Sequence, residues 1–218
     1  MPDQNLILYT YWRSSASYRV RMALNLKGLD YESRSVHLVR DGGQQLSADF
    51  TALNPQQLVP TLVHGNQVLT QSLAILEYLE ETFPQQPLLP PSSGERARVR
   101  AIAQAIACEI HPLNNLRVLK YLTGPGGLDE ESKMAWYRHW TESGLKAVEK
   151  MLDHPDTARF CHGNEPTLAD CCLLPQVYNA RRFNCDLSGL NRLVGICNEL
   201  EQMPAIDKAV PEKQPDAD

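Results

Sequence analysis

The chain has 218 residues, enough for one large domain or two small ones. Hydrophobic residues make up 43% and charged residues 22%, with 12 glycines and 15 prolines, a balance that excludes a disordered or collagen-like chain. Lys and Arg number 21 against 26 Asp and Glu, a net charge of -5, so nucleic acid is excluded as the main partner and any anionic ligand must be held locally.

No uncharged apolar run approaches the ~18 residues of a membrane span, and no basic region followed by an apolar stretch opens the sequence. A cytoplasmic protein without a membrane partner is expected. Six cysteines, Cys108, Cys161, Cys171, Cys172, Cys185 and Cys197, form no C-x-x-C and no zinc spacing with histidine, so each reads as a reduced, packed thiol and no metal site is expected.

In chain order, Leu6 to Trp12 is an apolar and aromatic run suited to a buried strand. A helix follows: Val20, Ala23, Leu24 and Lys27 share a stripe, Ser14, Ser15 and Ser17 offer capping oxygens, and Gly28 stops it. Tyr31 to Val39 reads as a second strand, parallel to the first through a right-handed crossover. Ala48 to Leu53 is a short helix closed by Asn54-Pro55. Val59 to His64 and Gln67 to Thr70 flank the turn Gly65-Asn66 and form an antiparallel hairpin. Ser72 caps a helix to about Glu81, with Leu73, Leu76, Leu79 and Phe83 inward. The order is βαβαββα.

The proline-rich stretch 84–96 reads as a linker, which divides the chain into an α/β domain at 1–83 and an all-α domain at 97–218. Ala97 to Leu122 has helical spacing and is expected to kink at Pro112, leaving carbonyls near Cys108 without donors. A second helix spans about Asp129 to Leu152, with Trp136, Trp140, Val148 and Met151 inside. Thr167 and Asp170 have capping-box spacing and open a helix through about Arg182.

Three places combine backbone donors with polar side chains. Ser14 and Ser15 stand where the first strand meets the first helix, where an anion is favoured and a thiolate would gain hydroxyl bonds, although a serine run before a helix is ordinarily only a cap. Val59-Pro60 is a place for a cis peptide that exposes main-chain groups to an extended ligand, or an ordinary edge proline. Gln71-Ser72 opens another helix and suits a carboxylate, or simple capping.

The stretches YWRSSASYRVRMALNLKG, LNPQQLVPTL, QSLAILEYLEE, IHPLNNLRVLKYL and TLADCCLLPQVYNARRF, in this order from about Leu6 to Phe183, resemble the zeta-class glutathione transferases. The resemblance implies a thioredoxin-like first domain, a helical second domain, glutathione as cofactor and a homodimer. It implies isomerisation of maleylacetoacetate, in tyrosine and phenylalanine breakdown, by reversible thiolate addition to the conjugated double bond. Maleylpyruvate is the rival substrate, and a noncatalytic interaction module the rival reading.

By resemblance, Ser14 holds the glutathione sulfur, assisted by Ser15, and Ala16, Ser17, Tyr18 and Arg19 belong to the surrounding helix start. Gln45 and the Val59 and Pro60 backbone match positions that grip the cysteinyl and glycyl parts, and Gln71 and Ser72 match the γ-glutamyl end. His111, Asn115, Leu116 and Arg117 match glutathione-binding positions of the helical domain. Arg13 and Arg182 are similar to arginines that hold the carboxylates of a small dicarboxylate substrate, with Arg181 a weaker candidate. One departure stands out: the family commonly has cysteine where this chain has Ala16, so the nucleophile must be the thiol of glutathione.

Overall fold

The structure is a computed structural model and describes residues 5–217. It divides into two compact units, Met1–Leu88 with Glu201–Asp218, and Leu89–Leu200.

In the first unit β1 (Leu6–Thr10), α1 (Ser15–Leu26), β2 (Glu32–Ser35), α2 (Ala48–Leu53), β3 (Thr61–His64), β4 (Gln67–Thr70) and α3 (Ser72–Thr82) follow the expected order. The sheet order is β2-β1-β3-β4, with β1 and β2 parallel and the other pairs antiparallel. This is the four-stranded mixed sheet of a thioredoxin-like domain. Leu8 pairs with Leu62, and both are fully buried, so the centre of the sheet rests on that cross-strand contact. Gly65 supplies the positive φ that the hairpin turn demands.

Three expectations differ from what is observed here. The second strand is only Glu32–Ser35 and exposed throughout, because beyond Val36 the chain turns around His37 instead of continuing along β1. The inward face of α3 uses Ile75 with Leu76 and Leu79, and Leu73 is only half-buried. The segment from Glu201 onward, read from sequence as part of the helical domain, packs with the first unit. Arg21 is one tie, beside Asn25, whose Nδ2 donates to Ala205 O at 2.9 Å. Arg21 is fully buried, and its guanidinium donates to Ala209 O at 3.1 Å, Thr10 Oγ1 at 3.1 Å, Tyr11 O at 3.4 Å and Trp12 O at 3.0 Å. A charge in such a place is tolerated because carbonyl and hydroxyl oxygens replace its water.

The first unit also continues past Phe83. Lys27 Nζ, its side chain wholly buried, meets Glu80 Oε2 at 2.7 Å and the carbonyls of Phe83 at 2.9 Å and Gln86 at 3.3 Å. The same carboxylate oxygen accepts the N–H of Leu88 at 2.9 Å, so the start of the proline-rich stretch is tied to α1 and α3.

The second unit contains α4 (Ser93–Gln104), α5 (Leu116–Thr123), α6 (Glu130–Met151), α7 (Leu168–Arg182) and most of α8 (Asn191–Glu201); α9 (Pro204–Asp207) lies in the first unit. α4 begins inside the expected linker because Ser92 and Glu95 form a capping box. The helix expected over 97–122 is broken, not merely kinked. A π-helical turn (Ala105–Ile110) and a 3-10 turn (His111–Asn114) intervene before α5, a rearrangement that accommodates the missing N–H of Pro112. Gly144 permits the approach of α6, since a Cβ there would overlap the side chain of Ile110.

α6 buries Tyr137, Thr141, Leu145 and Val148, whereas Trp140, expected inside, is exposed. Five cysteines are buried as expected and Cys108, on the π-helical turn, is exposed. Asp170, fully buried, accepts from Thr167 N at 2.8 Å, Thr167 Oγ1 at 2.7 Å and Cys161 N at 2.9 Å. Asp170→Ala leaves all three buried donors without this carboxylate and is expected to cost about 3 kcal/mol. Urea unfolding checks this, and a loss under about 1 kcal/mol contradicts it. Among the described residues no helix is long and apolar enough to cross a membrane.

Candidate active site

The turn from β1 into α1 is fixed before any side chain points outward. Ser14 N–H donates to Tyr11 O at 3.0 Å, and Arg21 holds the Tyr11 and Trp12 carbonyls. Ser14 then caps α1, its Oγ accepting the Ser17 N–H at 3.2 Å. A hydroxyl that accepts from its own helix keeps its proton for another partner, and the helix opening adds partial positive charge. Ser14 is half-buried and Ser15 only 4% exposed. Ala16 contributes no polar side chain. Ser17, Tyr18 and Arg19 are buried, so they support the helix start more than they line it.

The second helix opening, that of α3, is joined to the first. Arg19 Nη1 donates to Ser72 Oγ at 3.1 Å, so this hydroxyl serves the buried guanidinium. Ser72 is therefore the first residue of α3 and not its cap as expected. The capping position falls to Gln71, whose φ of 67° lies in the left-handed region and whose side chain makes no cap bond. The Gln71 amide donates to Gln56 Oε1 at 2.7 Å instead. Holding a glutamine at positive φ costs of order 1 kcal/mol and more, and it lies in the segment where the resemblance places the γ-glutamyl end.

The Val59-Pro60 peptide is cis. Asn54 secures both sides of it, its Nδ2 donating to Leu58 O at 2.7 Å and Thr61 Oγ1 at 3.2 Å. Val59 also packs in a cluster with Tyr11, Trp12, Val36 and Phe50, which links the cis segment to the β1–α1 turn.

His37 organises the remaining loop, although nothing in its sequence position within an expected strand distinguishes it. Its Nδ1 accepts the N–H groups of Val39 at 3.2 Å and Arg40 at 2.9 Å, and its main chain pairs with Gln44 through two 2.8 Å bonds. The Tyr11 ring meets the imidazole edge-on at 4.8 Å. The same loop carries Gln45, whose buried Oε1 lacks a partner and suits an N–H donor of a bound peptide.

Burial, with the nearby Arg40 charge, lowers the pKa of His37. The unfolded chain therefore binds the proton more readily than the folded one, and stability falls as pH drops below the ordinary histidine value near 6.5. Thermal unfolding between about pH 7 and pH 5 should show this slope, reduced in His37→Gln. A slope identical in the variant contradicts the assignment.

Arg13 donates through Nε at 3.2 Å and Nη2 at 2.9 Å to Tyr11 Oη, and its guanidinium lies 4.6 Å from the Trp12 ring centroid. It is thus held in place without a carboxylate partner in either of these contacts.

In the second unit His111 opens the 3-10 turn after the π-helical turn. Asn115 caps α5, its Oδ1 accepting the Arg117 N–H at 3.1 Å, with Leu116 as the first helical residue and Arg117 exposed. Asn114, which sequence reasoning passed over, is buried and donates to Thr141 Oγ1 at 3.2 Å, fixing this turn to α6. Arg182 is exposed at the end of α7, its guanidinium 4.8 Å from the Phe183 ring, which in turn contacts the Tyr137 ring at 4.2 Å. Arg181 points elsewhere, to Asn198 Oδ1 at 3.3 Å.

Residues 8–87 match the glutathione S-transferase N-terminal domain. The chain is 53% identical over 213 residues to the probable maleylacetoacetate isomerase of Vibrio cholerae, covering 98% of this chain and 99% of that protein. It is 46% identical, with a TM-score of 0.94, to a solved holo maleyl pyruvate isomerase described as a bacterial zeta-class glutathione transferase, covering 97% of this chain and 100% of that one. The chain belongs to the zeta-class glutathione transferases.

A further likeness is to the maleylacetoacetate isomerase of Methylobacterium extorquens AM1, solved with malonate and glutathione bound. It is 42% identical with a TM-score of 0.92, covering 97% of this chain and 99% of that one. The zeta-class assignment agrees with the thioredoxin-like and helical architecture inferred from the residue patterns.

Proposed function

We propose that this zeta-class transferase is a glutathione-dependent cis–trans isomerase whose substrate is maleylacetoacetate. The observation that carries the reading is Ser14, a hydroxyl that accepts from Ser17 N–H and retains its own proton at the opening of α1. Rotation about an intact double bond is prohibitive, so the reaction requires a nucleophile that adds and departs. Glutathione, when bound, supplies that thiolate.

The polar groups fit the tripeptide: a hydroxyl at a helix opening as donor to the sulfur, the unpartnered Gln45 Oε1 as acceptor of an N–H, and the main chain at Val59 and Pro60 for an extended backbone. Gln71 and Ser72 would receive the γ-glutamyl end at the opening of α3, and Ser15 would assist Ser14. His111, Asn115, Leu116 and Arg117 of the helical unit are assigned to the tripeptide by family resemblance. Ser14 donates its proton toward the sulfur and keeps it ionised, and family resemblance assigns Arg13 and Arg182 to the substrate carboxylates. The active form is a cytoplasmic homodimer in this reading.

Ultraviolet progress curves with maleylacetoacetate and with maleylpyruvate, each with and without glutathione, test the proposal. Turnover of maleylacetoacetate that depends on glutathione is the expected result. A strong preference for maleylpyruvate, which the likeness to the solved holo enzyme favours, replaces the substrate, and full turnover without any thiol overturns the mechanism.

A further inference from the structure

The chain from α9 onward does more than close the first unit. Asp216 Oδ2 accepts the Trp12 N–H at 3.1 Å and the Ser35 hydroxyl at 2.9 Å, across more than two hundred residues of sequence in the first case. Ala217 packs against the cluster of Tyr11, Trp12, Val36, Phe50 and Val59. The other side of the same Trp12 residue is also held, because Arg21 Nη2 donates to Trp12 O while Arg21 Nε donates to Ala209 O. Trp12 is thus gripped at its N–H by Asp216 and at its carbonyl by Arg21, and both grips lead into the 209–217 segment.

The two residues that follow Trp12 are Arg13 and Ser14. Arg13 stacks on the Trp12 ring, and Ser14 N–H returns to Tyr11 O. A shift of the Trp12 main chain therefore moves the guanidinium and the capping hydroxyl together.

We propose that Asp216 is a positioning residue for the reaction, holding the β1–α1 turn so that Ser14 and Arg13 sit where the sulfur and a substrate carboxylate need them. The proposal rests on the reading of Ser14 and Arg13 given above. It assigns a task to a segment outside every motif that carries the family resemblance. The required chemistry is that of an acceptor: one oxygen takes both N–H and O–H. An amide oxygen can do the same, so Asp216→Asn retains the grip and Asp216→Ala does not.

The test compares wild type, Asp216→Ala, Asp216→Asn and a chain ended after Lys213. It uses kcat, KM for each substrate, the pH titration of bound glutathione thiolate by ultraviolet absorbance, and thermal unfolding. In Asp216→Ala kcat is expected to fall about tenfold or more, since misplacement of reacting groups by an ångström is costly. The KM for the dicarboxylate rises and the bound thiol titrates at higher pH, while the affinity for glutathione stays within about twofold, because Gln45 and Gln71 lie outside the cluster that Trp12 and Ala217 share. Asp216→Asn restores most of the activity, and the shortened chain resembles Asp216→Ala.

Unchanged kcat and thiol titration in folded Asp216→Ala overturn the proposal, as does an Asp216→Asn protein as impaired as the alanine variant. Should wild type bind glutathione as thiolate yet isomerise neither substrate, the functional reading fails while the titration still decides the role of Asp216.

Discussion

Ser14→Ala is expected to lower kcat by about 10²–10³-fold while changing the affinity for glutathione little, because in the proposed mechanism the lost donor acts on the sulfur and not on the peptide frame. The reasoning is local. Ser14 Oγ takes the Ser17 N–H, so the hydroxyl is oriented by the helix it caps and its proton is directed away from that bond. Removing it raises the pKa of the bound thiol, so the activity that remains should climb at alkaline pH where the wild-type curve is already flat. The same change removes a helix cap and costs about 1 kcal/mol of stability, too little to unfold the domain at assay temperature. Steady-state kinetics with a direct binding titration separate these effects. Equal losses in kcat and in glutathione affinity contradict the role given to Ser14.

Lys27→Met should destabilise the first unit by about 3–5 kcal/mol, because it takes the cation away from a buried carboxylate. Lys27 Nζ has three oxygen partners, one of them Glu80 Oε2, which also accepts the Leu88 N–H. A shift in urea midpoint measures the loss. The double variant Lys27→Met with Glu80→Leu should recover part of it, since an apolar pair replaces an ion pair more cheaply than one ion left alone. A single-variant loss below about 1 kcal/mol contradicts the assignment.

Much of the first unit was legible because its signals are short-range. The Gly65-Asn66 turn, the Ser14 cap and the alternating strand and helix runs each specify a local conformation, and together they yield the observed order of elements. The Thr167 and Asp170 spacing located α7 in the same way. What escaped detection depends on contacts made far along the chain. Arg21 carries no apolar or capping signal in the sequence, yet it is fully buried, with four oxygens from two segments, 10–12 and Ala209, around it. The C-terminal segment is held to the first unit by that side chain, by Asn25 and by Asp216, none of which carries a periodic signal.

The candidate site divides along the same line. Ser14, the cis Val59-Pro60 bond and Gln71 stand at helix or strand ends that composition and punctuation mark out. His37 and Asn114 hold such ends in place through side-chain bonds to main chain and hydroxyl, and residue type alone does not announce that work. Pro112 signalled an interruption correctly but not its form, since a π-helical turn absorbs the lost donor over several residues where a simple kink would concentrate it. Trp140 misled because an apolar helical stripe was assumed to be continuous, and the inward face of α6 instead runs through Tyr137, Thr141 and Leu145.

The bond from Arg19 to Ser72 makes the openings of α1 and α3 mechanically one object. Changes introduced at these two places should consequently fail to add in a double-mutant cycle, each perturbation being partly felt through the shared cation. Under the proposed assignment of these openings, anyone reshaping the protein to accept a different tripeptide could not tune the grip on its amino end and the reactivity at its sulfur as separate dials.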